Sequence, residues 1–110
     1  MDVIKRNGKV VKLNGQKIHD AIIKAFVEVH QEIDEEAEAC ATKIANEIEK
    51  LNKTLTVEEI QDLVEKKLMA SSHKDVAKMY INYRYLRDMA RSQYKELMGA
   101  VAEKLTAKNV

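Results

Sequence analysis

Two Asn-Gly pairs, Asn7-Gly8 and Asn14-Gly15, constrain this chain more than any other feature. The first lies between the short β-branched runs Val3-Ile4-Lys5-Arg6 and Lys9-Val10-Val11-Lys12-Leu13. Asn-Gly in that setting predicts a hairpin, because a type I′ turn needs φ > 0 at both central residues. With Asn7-Gly8 as a two-residue loop, Ile4 would face Val11, Lys5 would face Val10 and Arg6 would face Lys9. Like charges would then stand opposite each other at the turn, an unfavourable arrangement that a bound anion relieves. After the second pair the hydrophobic period changes from 2 to 3.6, with Ile18, Ile22, Ala25, Phe26, Val29 and Ile33 on one face. Asn14 therefore reads as the N-cap of a first helix.

The remaining elements follow from similar signals. Asp34 is placed to cap a second helix with Ala37, Cys40, Ala41, Ile44, Ile48 and Leu51 inward and its acids outward. Thr54-Leu55-Thr56 is compatible with a third short strand, and Thr56-Val57-Glu58-Glu59 reads as a capping box opening a third helix with the stripe Ile60, Leu63, Val64, Leu68. Ser71-Ser72-His73 interrupts the pattern. A fourth helix is expected from about Lys74, with a seam through Val76, Met79, Tyr80, Tyr83, Leu86, Ala90, Tyr94, Leu97, Val101 and Leu105. Its length exceeds that of ordinary globular helices, so its last third is expected to project, fray or pair with another chain.

Composition agrees with a mostly helical α+β domain. The 110 residues are 45% hydrophobic and 34% charged, with no proline and three glycines, enough chain for one core without disulfides or metal. Cys40 is the sole cysteine and reads as a small core residue. There is no Cys/His cluster for zinc, no apolar run of membrane length and no signal-peptide pattern, so a reducing cytoplasm is the expected location. The net charge of +1 conceals segregation: residues 1–27 carry six Lys/Arg against two Asp, residues 28–65 carry three lysines against twelve acids, and residues 66–91 carry seven bases against two acids. Two basic segments bracketing an acidic one make a focused anion site if the fold brings them together.

Neither a P-loop nor a dinucleotide-binding glycine motif occurs, and His19, His30 and His73 form no triad by spacing. Glu35-Glu36 and Glu58-Glu59 sit at helix starts, where they favour the macrodipole without an acid/base role. What remains is basic: Lys5, Arg6, Lys9 and Lys17 around a helix start whose backbone N–H groups suit a polyphosphate. Arg84, Arg87 and Arg91 share one face of the fourth helix near Tyr80 and Tyr83. On residues alone three readings stand: a nucleotide site, a nucleic-acid-binding surface tracking phosphates, and an assembly module using the long seam. The acidic middle of the chain and tyrosines read as buried weigh against nucleic acid.

The stretch Val3 to Ala25 resembles the opening of the ATP-cone domain, a basic Asp/Asn-Gly hairpin followed by a Lys-Ile helix start. Residues 56–69 and 76–91 resemble its two later signatures, in order, so the resemblance covers about residues 3–91. The similarity is strongest to the N-terminal regulatory domain of anaerobic, glycyl-radical ribonucleoside-triphosphate reductase. It implies a hairpin over a four-helix bundle with the last helix extended, residues 1–92 as the regulatory domain and 93–110 as a helical linker or the start of a further domain. It further implies ATP or dATP as allosteric ligand, with Mg2+ carried by the nucleotide, and no catalytic residues in this segment. ATP would activate and dATP inhibit through oligomerisation or conformational change, with the rest of a reductase chain or copies of this one as partners. By position, Lys5 and Arg6 match nucleotide-contacting hairpin residues. Val11, Lys12, Leu13 and Asn14 match the segment passing the base, Lys17 beside Ile18 the phosphate lysine, Val57 and Gln61 residues near base and sugar, and Arg87 a late phosphate contact. Lys9, Tyr83 and Arg84 are candidates for a second nucleotide.

Overall fold

The computed structural model describes the backbone of residues 1–108 and the side chains of residues 1–99. The chain runs β1 (Asp2–Ile4), β2 (Val10–Lys12), α1 (Gly15–His30), α2 (Glu35–Lys50), β3 (Leu55–Thr56), α3 (Val57–Ala70) and α4 (Lys74–Lys108), a mostly helical α+β arrangement that includes the third strand. Met1–Tyr80 forms one compact unit and the chain from Ile81 a second, α4 beginning in the first.

The hairpin forms one residue out of the expected register. Val3 stands opposite Val11 and Ile4 opposite Val10, and the Lys5 N–H donates to the Lys9 carbonyl at 2.8 Å. Arg6, Asn7 and Gly8 are then a three-residue loop, closed by the Gly8 N–H donating to the Lys5 carbonyl at 2.9 Å. Only Gly8 takes a positive φ, +85°, while Asn7 uses its Oδ1 to accept the Lys9 N–H at 3.0 Å. A type I turn ending in a left-handed glycine is the other hairpin loop that Asn-Gly permits. The slip puts Lys5, not Arg6, opposite Lys9. β3 joins β1 in parallel, giving the order β2-β1-β3 with Val3 opposite Leu55.

The caps fall where the sequence puts them. Asn14 Oδ1 accepts the Gln16 N–H at 3.1 Å, and Asp34 Oδ1 accepts the Ala37 N–H at 2.8 Å. Thr56 and Glu59 form the reciprocal capping box, both bonds 3.1 Å. Because β3 runs directly into α3, pairing with β1 fixes where α3 starts. α1 buries Ile18, Ile22, Ala25 and Phe26. It ends at Gln31 with φ 61°, so Ile33 falls past the helix and is 56% exposed. α2 buries Ala37, Ala41, Ile44, Ala45 and Ile48, with Cys40 half-buried and Leu51 exposed at the C-cap rather than inward. Ile60, Val64 and Leu68 of α3 and Val76 and Ala77 of α4 complete the core.

In the second unit the seam is open. Leu86, Tyr94 and Leu97 are exposed, as is Tyr85, so the expectation of buried tyrosines fails there; Val101 and Leu105 lie outside the described side chains. The reason is local: past Tyr80 both sides of the helix carry large apolar residues, more than one buried face accommodates.

Candidate functional site

The hairpin, the first turns of α1, the first half of α3 and Tyr80 enclose a cavity of about 410 Å³. Three lysines line it: Lys5 just past β1, Lys12 at the end of β2 and Lys17 in the first turn of α1. Lys12 Nζ is 3.1 Å from Asp2 Oδ1. Lys5 and Lys17 have no carboxylate partner among the described residues, so two cations face one cavity without a counter-ion. Val11 and Leu13 form the hairpin wall, Ile18 and Ala21 the α1 wall, and Val57, Ile60 and Val64 the α3 wall.

Two amides interrupt the apolar lining. Asn14 is occupied as the cap, its carbonyl also accepting the Lys17 N–H at 3.0 Å. The helix start therefore does not offer the N–H groups of Gln16 and Lys17 to a ligand, as the sequence suggested it would; the cap has already taken them. Gln61 differs, because its Oε1 is buried without a hydrogen-bond partner. An unmatched buried acceptor costs about 1–3 kcal/mol, and a ligand donor would satisfy this one.

Of the residues singled out from the sequence, Lys5, Val11, Lys12, Leu13, Asn14, Lys17, Ile18, Val57 and Gln61 line this single cavity. Arg6 does not; its Nη1 lies 3.2 Å from Glu58 Oε1. Lys9 is exposed beyond the loop and also outside the lining. Tyr83, Arg84 and Arg87 belong to the second unit, the first two half-buried and Arg87 exposed. Val3, Ala21, Ile60, Val64 and Tyr80 were not anticipated as lining. Val3, Ile60 and Val64 carry the core pattern, which a cavity wall shares.

The titratable groups with displaced pKa values lie elsewhere. His19 bridges α1 and α2, with Nδ1 3.0 Å from Asp20 Oδ1 and Nε2 2.7 Å from Glu38 Oε2. Hydrogen bonds to Asp20 and then Glu38 raise its pKa above the ordinary 6.5 against opposing burial. Asp20 is lowered chiefly by His19 and then by Gln16, whose amide donates to it at 2.8 Å. Burial pushes the Cys40 thiol up, which disfavours a reactive thiolate. No carboxylate, imidazole or thiol lines the cavity, and no group of three or more His, Cys, Asp or Glu among the described residues is arranged to hold a metal. No helix among them is long and apolar enough to cross a membrane. The lining offers lysines, apolar side chains and one unmatched amide acceptor.

The family model described as ATP cone domain matches residues 1–89. Over 103 residues the chain is 42% identical to the vitamin B12-dependent ribonucleoside-diphosphate reductase of Thermoplasma acidophilum, covering 89% of this chain and 13% of that protein. It is 34% identical over 109 residues to the anaerobic ribonucleoside-triphosphate reductase of Haemophilus influenzae, covering 98% of this chain and 15% of that one. With the ribonucleoside-diphosphate reductase subunit alpha of Chlamydia trachomatis the identity is 36% over 107 residues, covering 87% and 10%. The chain thus spans a small part of the length of the curated relatives it matches.

Proposed function

The chain belongs to the ATP-cone family, and from that premise we propose that it is an allosteric ATP/dATP-binding domain controlling the overall activity of a ribonucleotide reductase. The observation that supports this is the cavity itself, lined by Lys5 and Lys17, neither with a carboxylate partner among the described residues, and by apolar side chains around Gln61. The triphosphate binds at the lysine end, where each charge-assisted hydrogen bond contributes about 1.5–3 kcal/mol. The adenine lies between the branched side chains of the hairpin and α3. Gln61 Oε1 accepts from the nucleotide's base or sugar, a role that fits its unmatched state in the unliganded protein. Lys12, held by Asp2, is a secondary cation.

In this reading ATP keeps the reductase active and dATP switches it off through oligomerisation or conformational change. Magnesium arrives on the nucleotide phosphates. The chain itself is regulatory, and its partners are the rest of a reductase chain, further copies of itself, or both, in the cytoplasm. The match to the Haemophilus influenzae protein, which covers nearly all of this chain, supports an anaerobic ribonucleoside-triphosphate reductase as the parent enzyme. Residues 1–92 are proposed as the regulatory domain and 93–110 as a helical linker or the start of a following domain; from the family resemblance, Arg87 is proposed as a late phosphate contact and Lys9, Tyr83 and Arg84 as candidates for a second nucleotide.

Isothermal titration tests the proposal. Micromolar binding of MgATP or MgdATP is expected, and Lys5→Ala combined with Lys17→Ala should weaken it by about a hundredfold. No heat of binding at millimolar nucleotide would end this reading.

A further inference from the structure

Arg6 follows Lys5 and Glu58 follows Val57, so each stands one residue beyond a lining residue, one on the hairpin wall and one on the α3 wall. The Arg6 guanidinium is nevertheless outside the cavity, 3.2 Å from the Glu58 carboxylate, with the two side chains 32% and 50% exposed. The observed register allows this. With Lys5 paired to Lys9, Arg6 occupies the first position of the loop, one residue past the last ladder pair.

Arginine is the hairpin's best polyphosphate ligand, because its planar fork meets two oxygens at once where an ammonium acts as a point charge. A triphosphate seated between Lys5 and Lys17 would compete with Glu58 for that fork. A half-exposed ion pair is a weak competitor, able to change an equilibrium by at most about fivefold. It can be displaced, and its displacement is measurable.

Resting on the polyphosphate reading of the cavity, we propose that Glu58 is an intramolecular counter-ligand for Arg6, lowering the site's affinity and making it depend on the number of phosphates. The pair ties the hairpin loop to the first turn of α3. On triphosphate binding, Arg6 exchanges the Glu58 carboxylate for phosphate oxygens, and the Glu58 charge stays at a helix N-terminus that favours it. A ligand too short to reach Arg6 leaves the pair closed and gains nothing from the guanidinium.

Isothermal titration of the whole chain and its Glu58→Gln, Arg6→Gln and double variants, with MgATP and with AMP, tests this. Glu58→Gln should bind MgATP about two- to fivefold more tightly and AMP unchanged, and the double variant should match Arg6→Gln. Glu58→Gln binding MgATP no more tightly than the parent overturns the proposal. So does equal tightening in the Arg6→Gln background, which would make Glu58 a through-space repulsion. A parent chain that binds no nucleotide would overturn the site reading instead.

Discussion

At Gln61 the needs of folding and of binding diverge. Its buried Oε1 has no hydrogen-bond partner within the chain, so Gln61→Leu should stabilise the chain by about 1 kcal/mol, read as a higher urea midpoint without nucleotide, while weakening ATP binding. A variant that loses stability and keeps its affinity would contradict that assignment. Lys5 and Lys17 show what single residues reveal in sequence, since a lysine at a turn and another in a helix's first turn are legible as cations near one end of the fold. Arg6 shows the limit. Its sequence context matches that of Lys5, yet its partner Glu58 lies more than fifty residues away on α3, and no local pattern announces that pairing. Tyr80 was visible as a seam residue, but periodicity does not distinguish a side chain that fills a core from one that walls a cavity.

Among the elements, α3 is the one whose placement matters most, because it presents both Val57 and Gln61 to the cavity. Its start is set by the Thr56–Glu59 box, so Thr56→Ala should cost about 1 kcal/mol of stability and weaken nucleotide binding in parallel. Equal affinity with reduced stability would separate the cap from the site. The α1–α2 contact carries a pH dependence through His19. Its folded-state pKa is raised, so its stabilising contribution is complete below the unfolded value of about 6.5 and is lost as pH rises through the folded value. Asp20 works in the opposite window, its contribution being lost as pH falls through its lowered value. Urea midpoints should therefore decline above pH 6.5 in the parent and flatten in His19→Gln; an unchanged slope would place the dependence elsewhere. Caps, helix phases and the third strand were legible because each is written in adjacent residues. The hairpin register was not, because Asn-Gly serves both a two-residue loop and a three-residue loop with glycine last, and the Lys5–Lys9 pairing shows which was taken.

For the molecule as a whole, the charge segregation seen in the sequence resolves into particular pairs. Lys12 meets Asp2, Arg6 meets Glu58 and Lys67 meets Glu47 at 2.7 Å, while Lys5 and Lys17 line the cavity with no carboxylate partner among the described residues. The exposed apolar residues of the second unit, Tyr94 and Leu97 among them, accord with the proposed assembly role, and light scattering should show a change of mass between ATP and dATP if copies of this chain suffice for it. The central claim, that nucleotide occupies the cavity between hairpin and α3, is tested most directly by mapping amide and methyl NMR shifts during MgATP titration. Saturable shifts should concentrate at Val11, Leu13, Lys17, Ile18, Val57 and Gln61. Saturable shifts centred instead on a second cavity lined by Cys40 and Lys43 of α2 and Lys67 of α3, with those residues unmoved, would contradict it.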